Sequence, residues 1–426
     1  MTALFLGIDV GTSGVRACAI DGDERVVGTA SVALPAPRQD GAAIDQEPAY
    51  WWRATCDAIE ALGRKIDLKD IWRIAVDGTS GTLLLTDAAG RPCSPGLMYN
   101  DARATEQAAC IKAVAPAESG AHGPSAALAK LLYLLGTSIV KQAQHALHQA
   151  DWIAGRLANR FGTSDENNAL KLGYDPVTRS WPSWLDQLQV PRHLLPEVLV
   201  PGATIGPIDP TVAASLGLRE TAIICAGTTD GVASFIATRA AAPGDAVTAL
   251  GTTLVLKLLS DKPIFAPAQG VYSHRLGDRW LVGGASNTGG GALLAHFSAE
   301  HMAELTPKLD PARPTGLDYY PLPKLGERFP ISDPQLAPRV TPRPADDVQF
   351  FQGLLEGIAA VEGLAYQTLR NLGAPTLSQV ISIGGGARNP AWTAIRRRIL
   401  GVPVSVAEET EASFGTALLT LHGGPP

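Results

Sequence analysis

Apolar runs recur along the chain, and each ends in a small polar or glycine-bearing turn. Residues 3–8 lead into Asp9-Val10-Gly11-Thr12-Ser13-Gly14, and a second β-rich run covers 15–20. After the turn at Asp21-Gly22-Asp23, residues 25–32 read as a third strand. Runs of this kind about a Gly/Thr/Ser turn predict a hairpin. From Glu47-Pro48, through Trp51 and Trp52, apolar positions recur at helical spacing to Leu62. Residues 71–76 predict a buried strand entering Asp77-Gly78-Thr79-Ser80-Gly81-Thr82, and 83–85 continue as a strand. The pattern over 125–157 is mostly helical, that over 176–210 is short helices and loops, and 221–226 is another buried strand. Strands alternating with helices predict an α/β architecture.

The opening pattern then returns. Residues 245–250 form a strand, Gly251-Thr252-Thr253 a turn, and 254–259 the returning strand. This reads as the supersecondary unit of Gly11-Thr12-Ser13 used again, although G-T-[ST] is a short and common string. Late in the chain, the predicted strand 379–383 enters Gly384-Gly385-Gly386-Ala387-Arg388-Asn389-Pro390, and residues 391–400 follow as a helix. Glycine backbone at such a junction admits a ligand close to a positive helix end. The segment is neither a P-loop nor G-x-G-x-x-G. A closing helix covers 413–419.

Composition narrows the classes. The chain has 426 residues, which predicts about two domains. With 35 Lys and Arg against 41 Asp and Glu, its net charge of −6 argues against a nucleic-acid partner. No apolar stretch is long enough to predict a membrane span, and residues 1–10 do not resemble a secretory signal. The five cysteines, Cys18, Cys56, Cys93, Cys110 and Cys225, are odd in number and include no C-x-x-C pair. They predict free thiols and a cytoplasmic setting rather than a disulfide framework or a structural zinc.

Taken together and in order, these motifs resemble the FGGY family of carbohydrate kinases over nearly the whole chain. The matching segments are 9–16, Glu47-Pro48 with Trp51-Trp52, Asn100-Asp101-Ala102-Arg103 (with Tyr99 where Trp is usual), 151–157 with Ser164-Asp165, 227–231, 250–253 and 384–392. The resemblance implies a two-lobed actin-like (RNase H-like) ATPase fold with the active site in the cleft between lobes. It implies a sugar-binding domain over 1–217 and a nucleotide-binding domain over 218–426, with the last helix, from about 413, packing back on the first.

The implied reaction is transfer of a phosphoryl group from ATP, with Mg²⁺, to a sugar hydroxyl. Such transfer needs a positioned γ-phosphate, a charge-spreading cation and a base. The resemblance makes Asp230 the general base and sugar contact, and Asp9 the Mg²⁺ ligand. Gly11, Thr12, Ser13 and Arg16, with Gly251, Thr252 and Thr253, become the phosphate-binding groups. Gly384, Gly385, Gly386, Asn389 and Trp392 become the adenosine site, and Ser80, Asn100, Asp101 and Arg103 the sugar site. From the residues alone, Asp9 reads equally as a turn cap and Asp230 as a helix N-cap; Trp392 reads also as a core residue.

In the family, the loop after the 71–76 strand touches substrate. Xylulokinases carry Met-His there and glycerol kinases Arg-Glu, whereas this chain has Ser80-Gly81, which looks more like the small polar loop of ribulokinases. The expected substrate is a ketopentose, D-ribulose first and D-xylulose second; another ketose or polyol is the nearest alternative. A non-catalytic or ATP-switching actin-like ATPase is the reading from another class, and Asp230 with the 100–103 segment weighs against it. The expected oligomeric state is a monomer or homodimer. His145 and His148, read as i and i+3 on one helix, and Arg396-Arg397-Arg398 are expected to be solvated surface. The aromatic run 181–184 is expected to be local packing.

Overall fold

The computed structural model describes residues 3–138 and 142–423. Three residues of the expected helical stretch 125–157, namely 139–141, lie outside the described residues. The chain divides into two compact units. The first comprises Met1–Ala237, Arg275–Gly277 and Glu411–Pro426; the second comprises Thr238–His274 and Asp278–Thr410.

In the first unit the predicted hairpins form β1 (Leu4–Val10), β2 (Gly14–Ile20) and β3 (Val26–Ala33), all antiparallel. β4 (Ile71–Gly78) pairs parallel with β1, with Asp9 opposite Asp77. β5 (Thr204–Pro207) and β6 (Ile223–Cys225) complete the sheet in the order β5-β6-β4-β1-β2-β3. Because β6 hydrogen-bonds to β4, the first unit runs on to Ala237, beyond residue 217.

Helices α1 (Pro48–Gly63), α3 (Gln149–Ala158) and α5 (Asp230–Ala237) pack on this sheet, whereas α2 (Ala127–Leu135) packs in a separate core with Leu83, Leu85 and Leu97, and the short α4 (Glu166–Leu170) follows the strand Thr163–Asp165. A core of β1, β4 and α1 residues with Trp51 and Trp152 lies between. The strand expected over 83–85 is real, Leu83–Thr86, but it leaves this sheet and pairs in a five-stranded one with His145–His148.

That pairing corrects two expectations. The described residues of 125–157 form α2 and α3 with the strand His145–His148 between them rather than one helical stretch. His145 and His148 therefore do not share a helix face. His148 is fully buried at the N-terminus of α3, with Nδ1 3.1 Å from Asp151 Oδ2. Trp181 packs edge-on against Tyr174, which is local packing.

The second unit repeats the plan. β7 (Asp245–Leu250), β8 (Leu254–Ser260), β9 (Tyr272–Leu276) and β10 (Arg279–Ser286) are followed by β11 (Gln379–Ile383) and β12 (Val404–Val406). The order is β9-β10-β8-β7-β11-β12. β7, β8 and β10 are antiparallel, and β11 adds parallel to β7 as β4 adds to β1. The resemblance between the two Gly-Thr hairpins is thus a resemblance of whole sheets.

Helices α6 (Gly290–Leu294), α7 (Asp347–Asn371) and α8 (Pro390–Leu400) belong to the second unit. Arg396 of α8, expected on a surface, is fully buried. Its guanidinium is bidentate to Glu362 at 2.6 and 2.7 Å and donates to Ser382 at 2.6 Å. A buried arginine requires such complete pairing. The basic triplet conceals it because i, i+1 and i+2 point to different sides of a helix.

The closing helix α9 (Ala412–His422) belongs to the first unit. It packs there through two glycines: a Cβ on Gly7 would lie 2.0 Å from Ser413 O, and one on Gly415 1.9 Å from Ala233 O. Among the described residues, no helix is long and apolar enough to cross a membrane.

Candidate functional site

The C-terminal ends of β1 and β4 place two carboxylates side by side. Asp9 is 5 % exposed and Asp77 fully buried. Arg16 on β2 donates to Asp9 Oδ2 at 3.0 Å, and Thr416 of α9 donates to Asp77 Oδ2 at 2.5 Å. Burial, and then the Asp9 charge, push the Asp77 carboxyl well above the ordinary carboxylate value. Burial also raises Asp9, opposed by hydrogen bonding from Asp77 and by Arg16. Two buried carboxylates this close disfavour double ionisation, and the more buried Asp77 is pushed up the further. Sequence reasoning missed Asp77; its signal was an acid at the end of an apolar strand.

Asp230 comes to the same place through backbone. Gly78, next to Asp77, forms a parallel bridge with Thr229. Gly227 allows this approach, since a Cβ there would lie 1.7 Å from Val76 O. Asp230 opens α5, half-buried, and Gly231 N donates to its Oδ1 at 2.7 Å. A carboxylate in a first helical turn is favoured by the helix dipole. Asp230 acts electrostatically on Asp9, Asp77 and Lys171.

The loop 78–82 lies alongside and is held from three directions. Gln149 Oε1 accepts from Thr79 N at 3.2 Å and Thr79 Oγ1 at 2.9 Å. Lys171 Nζ donates to Ser80 O at 3.1 Å. Lys130 Nζ donates to Gly81 O at 2.7 Å and Met98 O at 2.6 Å. Burial pushes the Lys130 ammonium down to about 7, against the opposing Asp101 charge. Burial also lowers Lys171, opposed by Asp230. Asn167, 1 % exposed, donates to Thr228 Oγ1 at 3.0 Å.

Around this loop, Ser80 Oγ, Gln149 Nε2 and Asn167 Oδ1 are buried and have no partner among the described residues. A polyhydroxylated ligand would satisfy such atoms. Apart from Ser80, these groups came from elements with no recognisable local motif.

The 100–103 segment is placed differently from expectation. Asn100 is exposed. Asp101 is fully buried, and its Oδ2 accepts from Ile44 N at 2.6 Å and Arg103 Nε at 2.8 Å. Arg103 Nη2 also donates to Asp45 at 2.7 Å. The two charged side chains complete an ion-pair network with Asp45 that shapes the segment.

In the second unit the three glycine segments converge. Gly290 N and Gly291 N donate to Gly251 O and Thr252 O at 2.8 and 3.0 Å. Gly384 has φ +85°, and a Cβ there would lie 2.9 Å from Leu250 O. The Gly251–Thr253 turn, the start of α6 and the Gly384–Gly386 turn therefore meet at one end of β7. Gly289-Gly290-Gly291, a visible string, was not read as part of this site.

Asn389 and Trp392 are committed to the fold. Asn389 Oδ1 caps α8 by accepting from Trp392 N at 3.0 Å, and its Nδ2 donates to Thr306 Oγ1 at 3.2 Å. Trp392 is 2 % exposed, and its indole N–H donates to Leu355 O at 3.2 Å. A Cβ on Gly386 would lie 2.5 Å from the Trp392 ring, while Gly385 faces open space. The indole thus supports the glycine turn from the core and presents no open platform. Trp392→Ala is expected to lose about 3–5 kcal/mol of stability and to raise the ATP KM through the loosened turn. Urea unfolding checks this, and a loss below ~1 kcal/mol would show the ring not to be a core support.

Two units of matched topology, each with a Gly-Thr hairpin turn, one ending its first strand in an acid, define an actin-like phosphotransferase. The chain belongs to the FGGY family of carbohydrate kinases: residues 4–237 match the family's N-terminal domain and 246–423 its C-terminal domain. It is a carbohydrate kinase, transferring phosphate to an alcohol group. It is 26 % identical to the xylulose kinase of Escherichia coli K12, over 93 % of this chain and 85 % of that one. It is 25 % identical to the gluconokinase of Bacillus subtilis 168, over 99 % and 88 %. A Brucella ovis protein described as a xyloylose kinase has a related structure with TM-score 0.88 and 26 % identity, covering 99 % of this chain and 90 % of that one.

Proposed function

We propose that the protein phosphorylates a ketopentose with ATP, D-ribulose in preference to D-xylulose. The observation that carries this reading is the Ser80 hydroxyl, buried without a partner on a loop one bridge away from the Asp230 segment. A small polar side chain there leaves room for a polyol and offers it one hydrogen bond. Relatives named for a pentulose and for gluconate match about equally well, so the pocket rather than the identity supports the choice.

Asp230 serves as general base, accepting the proton of the attacking hydroxyl. The Lys171 ammonium lies within its electrostatic reach. The Gly11-Thr12-Ser13 turn with Arg16, and the Gly251-Thr252-Thr253 turn, are each suited to bind phosphate oxygens through N–H and hydroxyl donors. The Gly384–Gly386 turn offers bare backbone to adenosine at Gly385. Among the described residues, no three His, Cys, Asp or Glu side chains gather as a metal cage. The Asp9 carboxylate suits Mg²⁺, which prefers one or two carboxylates plus waters and substrate phosphates. Asp9, at the end of β1 beside the first Gly-Thr-Ser turn, would hold it. Bound there, Mg²⁺ would neutralise phosphate charge. Five free cysteines suit a reducing compartment such as the cytoplasm.

The test is ATP turnover against a panel of pentuloses, hexuloses and polyols, with Ser80→Ala beside wild type. D-ribulose should give the highest kcat/KM, and Ser80→Ala should raise its KM roughly tenfold for one lost hydrogen bond. Preference for a hexonate or a polyol would overturn the substrate assignment.

A further inference from the structure

Helix α2 reads Ala-Leu-Ala-Lys-Leu-Leu-Tyr-Leu-Leu, and its one charged residue, Lys130, points into the core, fully buried. A Met or Leu would pack at such a position without the desolvation of an ammonium. Among the described residues Lys130 forms no salt bridge; its two hydrogen bonds are to main-chain carbonyls. Packing and ion pairing therefore do not account for a lysine here.

The two acceptors do. Gly81 O, at 2.7 Å, belongs to the loop that carries Ser80, and Met98 O, at 2.6 Å, belongs to the segment that enters 99–103. The amine brackets two loops just beyond the point where their flanking strands pair, Leu83 with Leu97. Gly81 sits at φ +92° in a turn closed by Thr82 N donating to Thr79 O at 3.2 Å, which leaves the carbonyls of Ser80 and Gly81 free to accept from side chains. Lys171 holds the carbonyl of Ser80 and Lys130 that of Gly81. Between them they orient the backbone from which the Ser80 hydroxyl projects.

We propose that Lys130 is a positioning residue of the sugar site, whose bracket between Gly81 and Met98 sets the place of the Ser80 hydroxyl. The proposal rests on the sugar-site reading above. Misplacement of a contact group by about 1 Å can cost on the order of 10²-fold in rate.

Lys130→Met is expected to lower kcat/KM for the sugar by about 30- to 100-fold, mostly through KM. The ATP KM and sugar-independent ATP hydrolysis should stay within about twofold, because the nucleotide groups do not touch the bracket. Lys130→Gln, which keeps an N–H₂ donor, should recover part of the loss. In a double-mutant cycle, Ser80→Ala should cost its roughly tenfold in wild type and almost nothing in the Lys130→Met background.

If Ser80→Ala costs nothing in wild type, the sugar-site reading fails. If Ser80→Ala costs its share but the two substitutions are additive, or folded Lys130→Met keeps its sugar KM, only the Lys130 proposal is overturned. If neither Lys130 variant accumulates as folded protein, the lysine is a stability residue and the positioning role is likewise rejected.

Discussion

Asp230→Asn is expected to lower kcat for sugar phosphorylation by about 10²–10⁴-fold, the usual contribution of a general base. The carboxylate opens α5 and is brought beside β4 by the Gly78–Thr229 bridge. The amide keeps the size and still accepts from Gly231 N, which now donates to Asp230 Oδ1 at 2.7 Å. The fold and ATP binding should therefore persist, and the sugar KM should change less than kcat. Steady-state kinetics with the preferred sugar check this, and a loss below tenfold would remove Asp230 from the base role.

Asp9→Ala is expected to lower Mg²⁺-dependent turnover by on the order of 10²–10³-fold, as for loss of a preorganised charge in an active site. The loss should extend to any sugar-independent ATP hydrolysis, which separates it from the sugar-site substitutions. Stability should not collapse. The substitution removes one of two buried, mutually unfavourable carboxylates and leaves Arg16, whose side chain is 40 % exposed, to solvent. Hydrolysis by Asp9→Ala equal to wild type at saturating Mg²⁺ would place the nucleotide site elsewhere.

The backbone of the candidate site was legible because its turns are local. The turn at Gly11-Thr12-Ser13, its echo at Gly251-Thr252-Thr253 and the strand-to-helix junction at 384–390 declare themselves by residue type at positions a few residues apart. Side-chain commitments were less legible. Asn389, directly before a helix-initial proline, is also the pattern of an N-cap, and the structure uses it as one. Asp101 and Arg103 are a polar pair by sequence, yet they join Asp45 from a distant strand. Trp392 shares α8 with Arg396, and both are buried although α8 also carries Arg397 and Arg398.

By itself the sequence determined the succession of strands and helices, the two hairpin turns and the glycines that let chains pass closely, because periodicity and φ preference act over a few residues. Only the tertiary structure decided that Asp77 stands beside Asp9, that Thr416 of the last helix reaches it, and that Lys130 ties Gly81 to Met98. Those partnerships depend on sheet register and helix docking between segments far apart in the chain. The free energy of a buried charge depends on the neighbours it meets there, which no local pattern records.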